Sequence, residues 1–390
     1  MTISKKNSFK LIYVLAFLAS LGDGLAGYIQ SSYLEKWFSL SQVGLIVSLS
    51  AAAALATSGI FPKLIAKFSL YRLFIVLAAT DFLASLILSF NPGNWLVFLF
   101  FISRYIGFML IVVVLDVFLE SISKDNITGA IRSEYLTVIN AAWLASPLLV
   151  GQLVGWGGYS LPYLVGAILM ALFLILIILG RKKLRIKKIH FFSKKLNLWQ
   201  TLKTLGKNND LLTIFVSAVL LNIFYAAAVL YMPIYLNKNI GLAWPTIGWI
   251  FTIMLLPFIL IQRPAGILAD KKWGEKEMLV AGAIIIAAAS FIIFLSAGGS
   301  AWFWAGLLCF SRIGAALMEV MQEVYFYKKI NAQEIGLINF FRQTRNIGWL
   351  IGALLAALLL SIMDIRGLFL IIGILFVGHT LQLTVIKDTK

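Results

Sequence analysis

Several ionisable side chains lie inside long apolar runs of this chain, and they are its best candidates for chemistry. An ionised group at the depth of a lipid bilayer costs about 2.5–3.5 kcal/mol or more unless it is paired or hydrated, so such a group marks an ion or substrate site. The residues in question are Asp23, Arg104, Asp116, Glu120, Arg312, Glu319, Glu323, Arg342 and Arg345. We treat them as candidate substrate-binding or proton-binding residues.

Helical spacing sorts the acidic and basic groups near the C-terminus. Arg312 and Glu319 are seven residues apart and share a helix face, and Glu323 lies one turn further along it. Arg342 and Arg345 are one turn apart at a similar depth in the next run, so the two acids can face the two arginines across antiparallel helices. Two interpretations stay open: a structural ion-pair cluster, and a pair that a proton or an anionic substrate can break.

The acidic groups near the N-terminus separate in the same way. Asp116 and Glu120 share one face of the fourth run, whereas Arg104 lies near its opposite end, so we expect no contact between Arg104 and Asp116. Asp23 stands between Gly22 and Gly24, which let another helix or a ligand approach.

Two further observations concern the third and seventh runs. Asp81, in the third run, is expected to be structural more often than functional. Asn222 and Tyr225, in an aromatic-rich seventh run, are candidate cavity residues.

The composition is that of a membrane protein. Of 390 residues, 61% are hydrophobic and 13% are charged, with a mean hydropathy of +0.95. The single cysteine excludes an intrachain disulfide and a cysteine-based metal cluster, and neither histidine has a ligand partner at metal spacing. No phosphate-binding loop or nucleophile–base pair occurs, so we expect no cofactor, no metal and no enzymatic activity.

Apolar runs separated by turn residues predict an all-α integral membrane protein with twelve transmembrane helices. The predicted spans are 9–33, 39–61, 70–90, 94–121, 132–153, 159–180, 210–236, 244–262, 276–297, 301–327, 335–361 and 366–386. The N-terminal lysines precede a long apolar run without a cleavage site, which favours a retained first helix.

The basic residues predict the topology. With the N-terminus inside, 26 of the 33 Lys and Arg residues fall in cytoplasmic segments and three, Lys36, Lys238 and Arg366, fall outside. This placement explains the net charge of +17 without a nucleic-acid partner. The basic segment 181–209 divides the chain into six-helix bundles at 1–180 and 210–390. Apolar residues at helical spacing within the segment suit a helix on anionic membrane lipids, and a solvated loop is the alternative.

The two halves repeat a short pattern. Ser103-Arg104-Tyr105-Ile106-Gly107 in the fourth run corresponds to Ser311-Arg312-Ile313-Gly314 in the tenth, with one gap. In each half an acidic residue, Asp116 or Glu323, follows the glycine by nine positions. Two unrelated bundles would not be expected to share this pattern.

The segment from Gly266 to Lys276 is predicted to be a short charged turn between two spans, and it resembles the signature loop of the major facilitator superfamily. Gly266, Leu268, Asp270, Lys271 and Gly274 match that pattern, and Lys276 supplies the final base one position late. The resemblance implies two pseudo-symmetric six-helix bundles and a gating role for this loop. The first-half counterpart has Pro62 and Ala66 in place of Gly and Asp, so gating would rest on Asp270.

The resemblance implies secondary transport of a small solute by alternating access. Intramembrane carboxylates favour proton coupling, and Ser146-Pro147 with Gly151 loosely matches a motif of antiporters, so efflux by proton antiport is the first hypothesis. Uniport or symport of an anionic metabolite or lipid headgroup, and a non-transporting receptor or partner subunit, are the alternatives. We expect a monomer in the cell membrane with both termini in the cytoplasm.

Overall fold

The structure is a computed structural model that describes residues 3–122, 128–182, 184, 203, 205–271, 273–330 and 335–387. Within these ranges the chain is helical and forms no strand. The all-helical fold class is therefore confirmed.

The first half of the chain forms long helices separated by short turns. They are α1 (Ile3–Gly27), α2 (Gln30–Leu34), α3 (Leu40–Phe68), α4 (Leu70–Ser89), α5 (Asn94–Ile122), α6 (Thr128–Gly157) and α7 (Ser160–Leu179). The turn before α5 begins at Asn91, which has a left-handed φ of 49°, and Gly158 before α7 has a φ of 63°. Asparagine and glycine tolerate this backbone region better than other residues, which explains why the helices end there.

The second half contains more breaks. Its elements are α8 (Asn209–Ile234) with a π-helical end (Tyr235–Asn239), α9 (Trp244–Leu260), α10 (Gln262–Lys271), α11 (Glu275–Leu295), α12 (Ala301–Lys329), α13 (Ile335–Arg342), α14 (Thr344–Leu359) and α15 (Ile365–Leu383). Side-chain oxygens of Asn208, Ser300 and Asp364 accept hydrogen bonds from backbone N–H groups at the starts of α8, α12 and α15.

By length and composition, 11 stretches in the described residues can cross a membrane. The predicted eleventh span, 335–361, is instead divided at Gln343 between α13 and α14. The Thr344 hydroxyl donates to the Phe341 carbonyl at 2.7 Å, and the Gln343 N–H donates to the Phe340 carbonyl at 3.0 Å. These local bonds compete with the regular helical pattern, so the polar stretch interrupts the helix.

The predicted charged turn is also largely helical. Gly266 lies in α10, which continues to Lys271, and the corresponding first-half segment from Pro62 to Lys67 continues α3. Good helix formers such as Leu268 and Ala269 outweigh one glycine, and Pro264 is tolerated because it lies in the first turn of α10. The turn expected across Gly266 is therefore wrong.

The chain divides into two compact units, which are described separately. The first comprises Met1–Ser39, Leu49–Phe192 and Ala243–Gly248, and the second comprises Leu40–Ser48, Ser193–Leu242 and Trp249–Lys390. The predicted domain boundaries stay a prediction.

In the first unit, α1 packs on α5, α6 and α7, and α4 packs on α5 and α7. Their core includes Phe74, Phe118 and Phe173, and the ring of Phe74 contacts the other two. In the second unit, α11 packs on α12 and α15, and α8 packs on α12, α14 and α15. These contacts position the charged residues of each unit.

Candidate functional site

The first unit contains a buried cluster of one arginine and two aspartates. Arg104 on α5 extends one guanidinium nitrogen to Asp23 Oδ1 on α1 at 3.2 Å, and its Nε lies 3.6 Å from Asp81 Oδ1 on α4. The same guanidinium donates to the Gly22 carbonyl at 3.2 Å and to the Ser85 hydroxyl at 3.3 Å. Arg104 therefore connects three helices through charge-assisted hydrogen bonds.

The charges in this cluster do not balance. The side chains of Arg104, Asp23 and Asp81 are only 8%, 17% and 3% exposed, so little water reaches them. With both carboxylates ionised, the cluster carries one net negative charge in a medium of low polarity. A buried uncompensated charge is costly, and protonation of one carboxylate would remove that electrostatic cost.

Asp81 is the carboxylate suited to accept that proton. Its distance to Arg104 is longer than that of Asp23, and its Oδ1 is buried without a hydrogen-bond partner in the described part of the chain. Asp23 accepts a direct hydrogen bond from the guanidinium. The cluster can therefore keep an Arg104–Asp23 ion pair while Asp81 gains or loses a proton.

The second unit holds a different arrangement around Arg312 on α12. The guanidinium of Arg312 lies over the rings of Phe224 and Tyr225 on α8, at 5.0 and 5.1 Å from their centroids. The Tyr225 hydroxyl donates to Glu319 Oε2 at 3.0 Å, and its ring meets Phe258 on α9 edge to face. This arrangement offers a carboxylate beside aromatic rings, a combination that binds cationic or aromatic groups.

Glu319 and Glu323 lie within electrostatic range of the two arginines near the α13–α14 break. Arg345 and Arg312 attract Glu319, and Arg342 attracts Glu323. Within the described ranges no ion pair shorter than 4.0 Å joins either glutamate to Arg342 or Arg345. The two glutamates and the two arginines that were predicted to face each other therefore interact over longer distances, near the break between α13 and α14.

Three other candidate residues lie apart from these clusters. Asp116 is half-buried on α5, where it interacts electrostatically with Tyr135 and not with the Arg104 cluster. Asn222 donates to the Ala218 carbonyl of its own helix at 2.8 Å and packs where Gly348 of α14 approaches α8. The side chain of Glu120 lies outside the described residues.

The repeated Ser-Arg pattern leads to unlike surroundings in the two units. A Cβ placed on Gly107 would lie 3.7 Å from the Cβ of Asp81, whereas one placed on the matching Gly314 would lie 2.9 Å from the Cβ of Ile285. Ile285 on α11 therefore occupies the position that corresponds to Asp81 on α4. The second unit has an apolar residue where the first has its second carboxylate.

The predicted gating motif is only partly described. Gly266 lies within α10, Gly274 is the N-cap of α11 with extended backbone, and Lys276 is half-buried in the first turn. The backbone of Asp270 and Lys271 is helical, and their side chains lie outside the described residues. The gating role of these residues stays a prediction.

Glu275, directly after Gly274, is a residue that sequence reasoning missed. Its side chain is fully buried and accepts a 2.5 Å hydrogen bond from Lys328 Nζ at the end of α12. An acidic residue in the first turn of a helix also interacts favourably with the helix dipole, and that position was the available sequence signal.

We expect Glu275→Gln to lower the thermal stability of the purified protein, because the variant loses the charge that pairs with Lys328 and favours the start of α11. The loss should be about 1.5–3 kcal/mol, the usual range for a hydrogen bond to a charged group. Thermal unfolding measured by intrinsic fluorescence tests this. Glu277→Gln, an exposed change on the same helical turn, is the control and should melt like the unmodified protein.

Two further residues belong to the surroundings of Arg104. Asp81, predicted to be structural more often than functional, lies 3.6 Å from Arg104, and its role stays a prediction. Tyr163, on α7, is 1% exposed and lies within electrostatic range of Arg104 and Asp23, with a hydroxyl that has no hydrogen-bond partner in the described ranges. A single tyrosine in an apolar run gave no sequence signal for this position. No group of three His, Cys, Asp or Glu residues in the described residues could hold a metal ion.

The comparisons with known proteins agree with this helical architecture. The crystal structure of the nucleoside transporter NupG is 14% identical, covers 97% of this chain and 98% of its own, and has a TM-score of 0.75. An auto-inhibited peptide transporter of the POT family is 13% identical, covers 97% and 96%, and also has a TM-score of 0.75. At these identities the likeness shows the fold.

A search of curated proteins finds no match. The family model for the Major Facilitator Superfamily matches residues 12–344 and 240–387, which together cover nearly the whole chain. Because that match agrees with the helix content, the candidate spans and the shared fold, the resemblance noted in the signature segment is confirmed, and the chain is a multi-pass membrane transport protein of the Major Facilitator Superfamily.

Proposed function

We propose that this chain is a secondary transporter that exchanges protons for a small solute, with efflux by antiport as the favoured direction. The observation that carries the proposal is the excess carboxylate of the first unit: two buried aspartates face one arginine. A carboxylate that is protonated in one orientation of the transporter and ionised in the other couples proton movement to transport. Asp81 is the proposed proton site, with Asp23 and Arg104 as its partners.

The cluster around Arg312 is the proposed solute site of the second unit. Glu319 supplies a negative charge that accepts a hydrogen bond from Tyr225, whose ring packs edge to face on Phe258, and a carboxylate near aromatic rings suits an organic cation or an aromatic solute. Arg312 and Arg345 near Glu319 support the alternative, transport of an anionic metabolite or a lipid headgroup. The structural neighbours, a nucleoside transporter and a peptide transporter, do not favour either choice.

Purified protein in proteoliposomes provides the test of the proposed function. A panel of labelled organic cations, neutral aromatics and organic anions is offered with and without an imposed pH difference. For exchange of one proton, a pH difference of about one unit can sustain about ten-fold accumulation, because one unit corresponds to about 1.4 kcal/mol. Accumulation that ignores the pH difference for every transported solute would contradict proton coupling, and no flux of any solute would favour a receptor.

In the proposed orientation both termini lie in the cytoplasm, and the turns near Asn94 and Gly298 lie on the external side of the membrane. We expect cysteines introduced at these two positions to react with an impermeant thiol reagent in intact cells. Cysteines at Ser193 and Asn331, which lie outside the described residues, should react only after the membrane is opened. The reason is the asymmetry of 26 basic residues to three. Labelling of position 193 in intact cells would contradict the cytoplasmic assignment of the segment 181–209.

A further inference from the structure

Lys36, in the turn after α2, points its ammonium group into a set of three aromatic rings. Its Nζ lies 5.7 Å from the centroid of Tyr33, 5.7 Å from that of Trp37 and 5.1 Å from that of Tyr159. All three distances are within the range of about 6 Å over which a cation is attracted to the face of a ring. Tyr33, Trp37 and Tyr159 are called the aromatic cage below.

One hydrogen bond completes the surroundings of the ammonium group. Lys36 Nζ donates to Asn91 Oδ1 at 3.3 Å, and the Asn91 amide nitrogen donates to the Ser160 hydroxyl. In the described part of the chain no carboxylate lies within 4.0 Å of Lys36. By contrast, Arg366, another basic residue predicted to lie outside, pairs with Asp364 at 2.9 Å. The aromatic cage therefore binds the Lys36 ammonium group through ring faces and one amide oxygen, and no described carboxylate pairs with it.

The Tyr33 wall of the aromatic cage is fixed in place by the fold. The Tyr33 hydroxyl donates to the Leu88 carbonyl at 2.6 Å, and its ring packs against Trp37 at 5.0 Å and Tyr163 at 4.6 Å between centroids. A site whose walls are held by other contacts loses little entropy when it binds a ligand. Burial lowers the pKa of the Lys36 ammonium below its ordinary value, so the group is partly removed from water.

Aromatic rings that surround a cation without a carboxylate are suited to organic ammonium ions, above all to quaternary ones, which cannot form ion-paired hydrogen bonds. We propose that the aromatic cage is a binding site for a small organic ammonium ion at this end of the first unit, and that Lys36 occupies it as an internal competitor. An entering ammonium ion displaces the Lys36 side chain into solvent. In the proposed orientation the site faces the outside of the cell, and it shares no residue with the Arg104 cluster, which it adjoins through Tyr163.

Radiolabelled tetramethylammonium is the probe for this site, at constant ionic strength adjusted with sodium chloride. Lys36→Ala should bind it about ten-fold tighter than the unmodified protein, because the internal competitor is gone. Lys36→Arg keeps a cation in the aromatic cage and should not gain affinity. Lys36→Ala combined with Tyr159→Leu should lose the gain. Equal binding to the unmodified protein and to Lys36→Ala would overturn the proposal.

A second measurement uses the unmodified protein, so it does not depend on the folding of a variant. Tetramethylammonium that displaces Lys36 should speed acylation of the Lys36 amine, measured by mass spectrometry, in a saturable manner. Acylation of Lys238 in the same sample is the control and should not change. If the rate at Lys36 does not respond, Lys36 is only a structural link between the turns that it joins.

Discussion

An Asp81→Asn variant in proteoliposomes is expected to exchange solute across the membrane but to lose accumulation driven by a pH difference. The amide keeps the size of the side chain and removes the only carboxylate of the cluster that is not directly hydrogen-bonded to Arg104. The neutral Arg104–Asp23 pair remains, so the fold should persist. The accumulation ratio at a pH difference of about one unit should fall from about ten to about one.

The matched control for this experiment is Asp116→Asn. Asp116 lies on the same helix as Arg104, about 18 Å away at 1.5 Å per residue, and interacts with other groups. We expect this variant to remain coupled. If Asp81→Asn accumulates solute as well as the unmodified protein does, the excess carboxylate of the first unit is structural and the proton site lies elsewhere.

A Glu319→Gln variant is expected to weaken solute binding and to leave proton coupling intact. The Tyr225 hydroxyl can still donate to the amide oxygen, but the negative charge at the end of the Tyr225 side chain is lost. For an organic cation, the solute concentration that gives half-maximal exchange should rise about ten-fold or more, as expected when a hydrogen bond or ion pair to a charged group is lost. Exchange and accumulation are measured on the same purified variant.

Two other outcomes for Glu319→Gln would each support a different role for Glu319. If the half-maximal concentration falls instead, the transported solute is anionic and Glu319 repels it, as the nearby Arg312 and Arg345 would suggest. If accumulation is lost while exchange persists, Glu319 is the coupling proton site that the sequence spacing first suggested. Glu323→Gln is the control, since Glu323 is exposed and one turn away.

The sequence was sufficient to predict the helical membrane fold because its signals are local. Runs of apolar residues and turns such as that at Asn91 depend on near neighbours in the chain. The break at Gln343 was not predicted, because hydrophobicity averaged over the run 335–361 conceals the hydrogen bonds by which Thr344 and Gln343 interrupt the helix. Helix continuity through Gly266 was missed for the opposite reason: one glycine was given more weight than the helix formers around it.

The sequence identified most residues of the candidate site, but it did not predict which of them contact each other. Arg104 and Asp23 were identified from their cost in a membrane, yet the contact between them depends on how α1, α4 and α5 pack. Asp81 was predicted to be structural more often than functional because the third span of the superfamily fold usually packs outside the cavity, and its position along that span does not identify Arg104 as its neighbour. Distances between residues 19 to 82 positions apart cannot be derived from helical spacing.

The second unit has Ile285 at the position that corresponds to Asp81, and this difference affects how much charge crosses the membrane in each transport cycle. With a single excess carboxylate, the proposed mechanism moves one proton per cycle. Exchange of that proton for a solute with one positive charge transfers no net charge, so membrane voltage would not drive it. Exchange for a neutral solute transfers one elementary charge, which is worth about 2.3 kcal/mol per 100 mV of membrane potential. Currents from proteoliposomes adsorbed on a capacitive electrode would therefore reveal the charge of the solute.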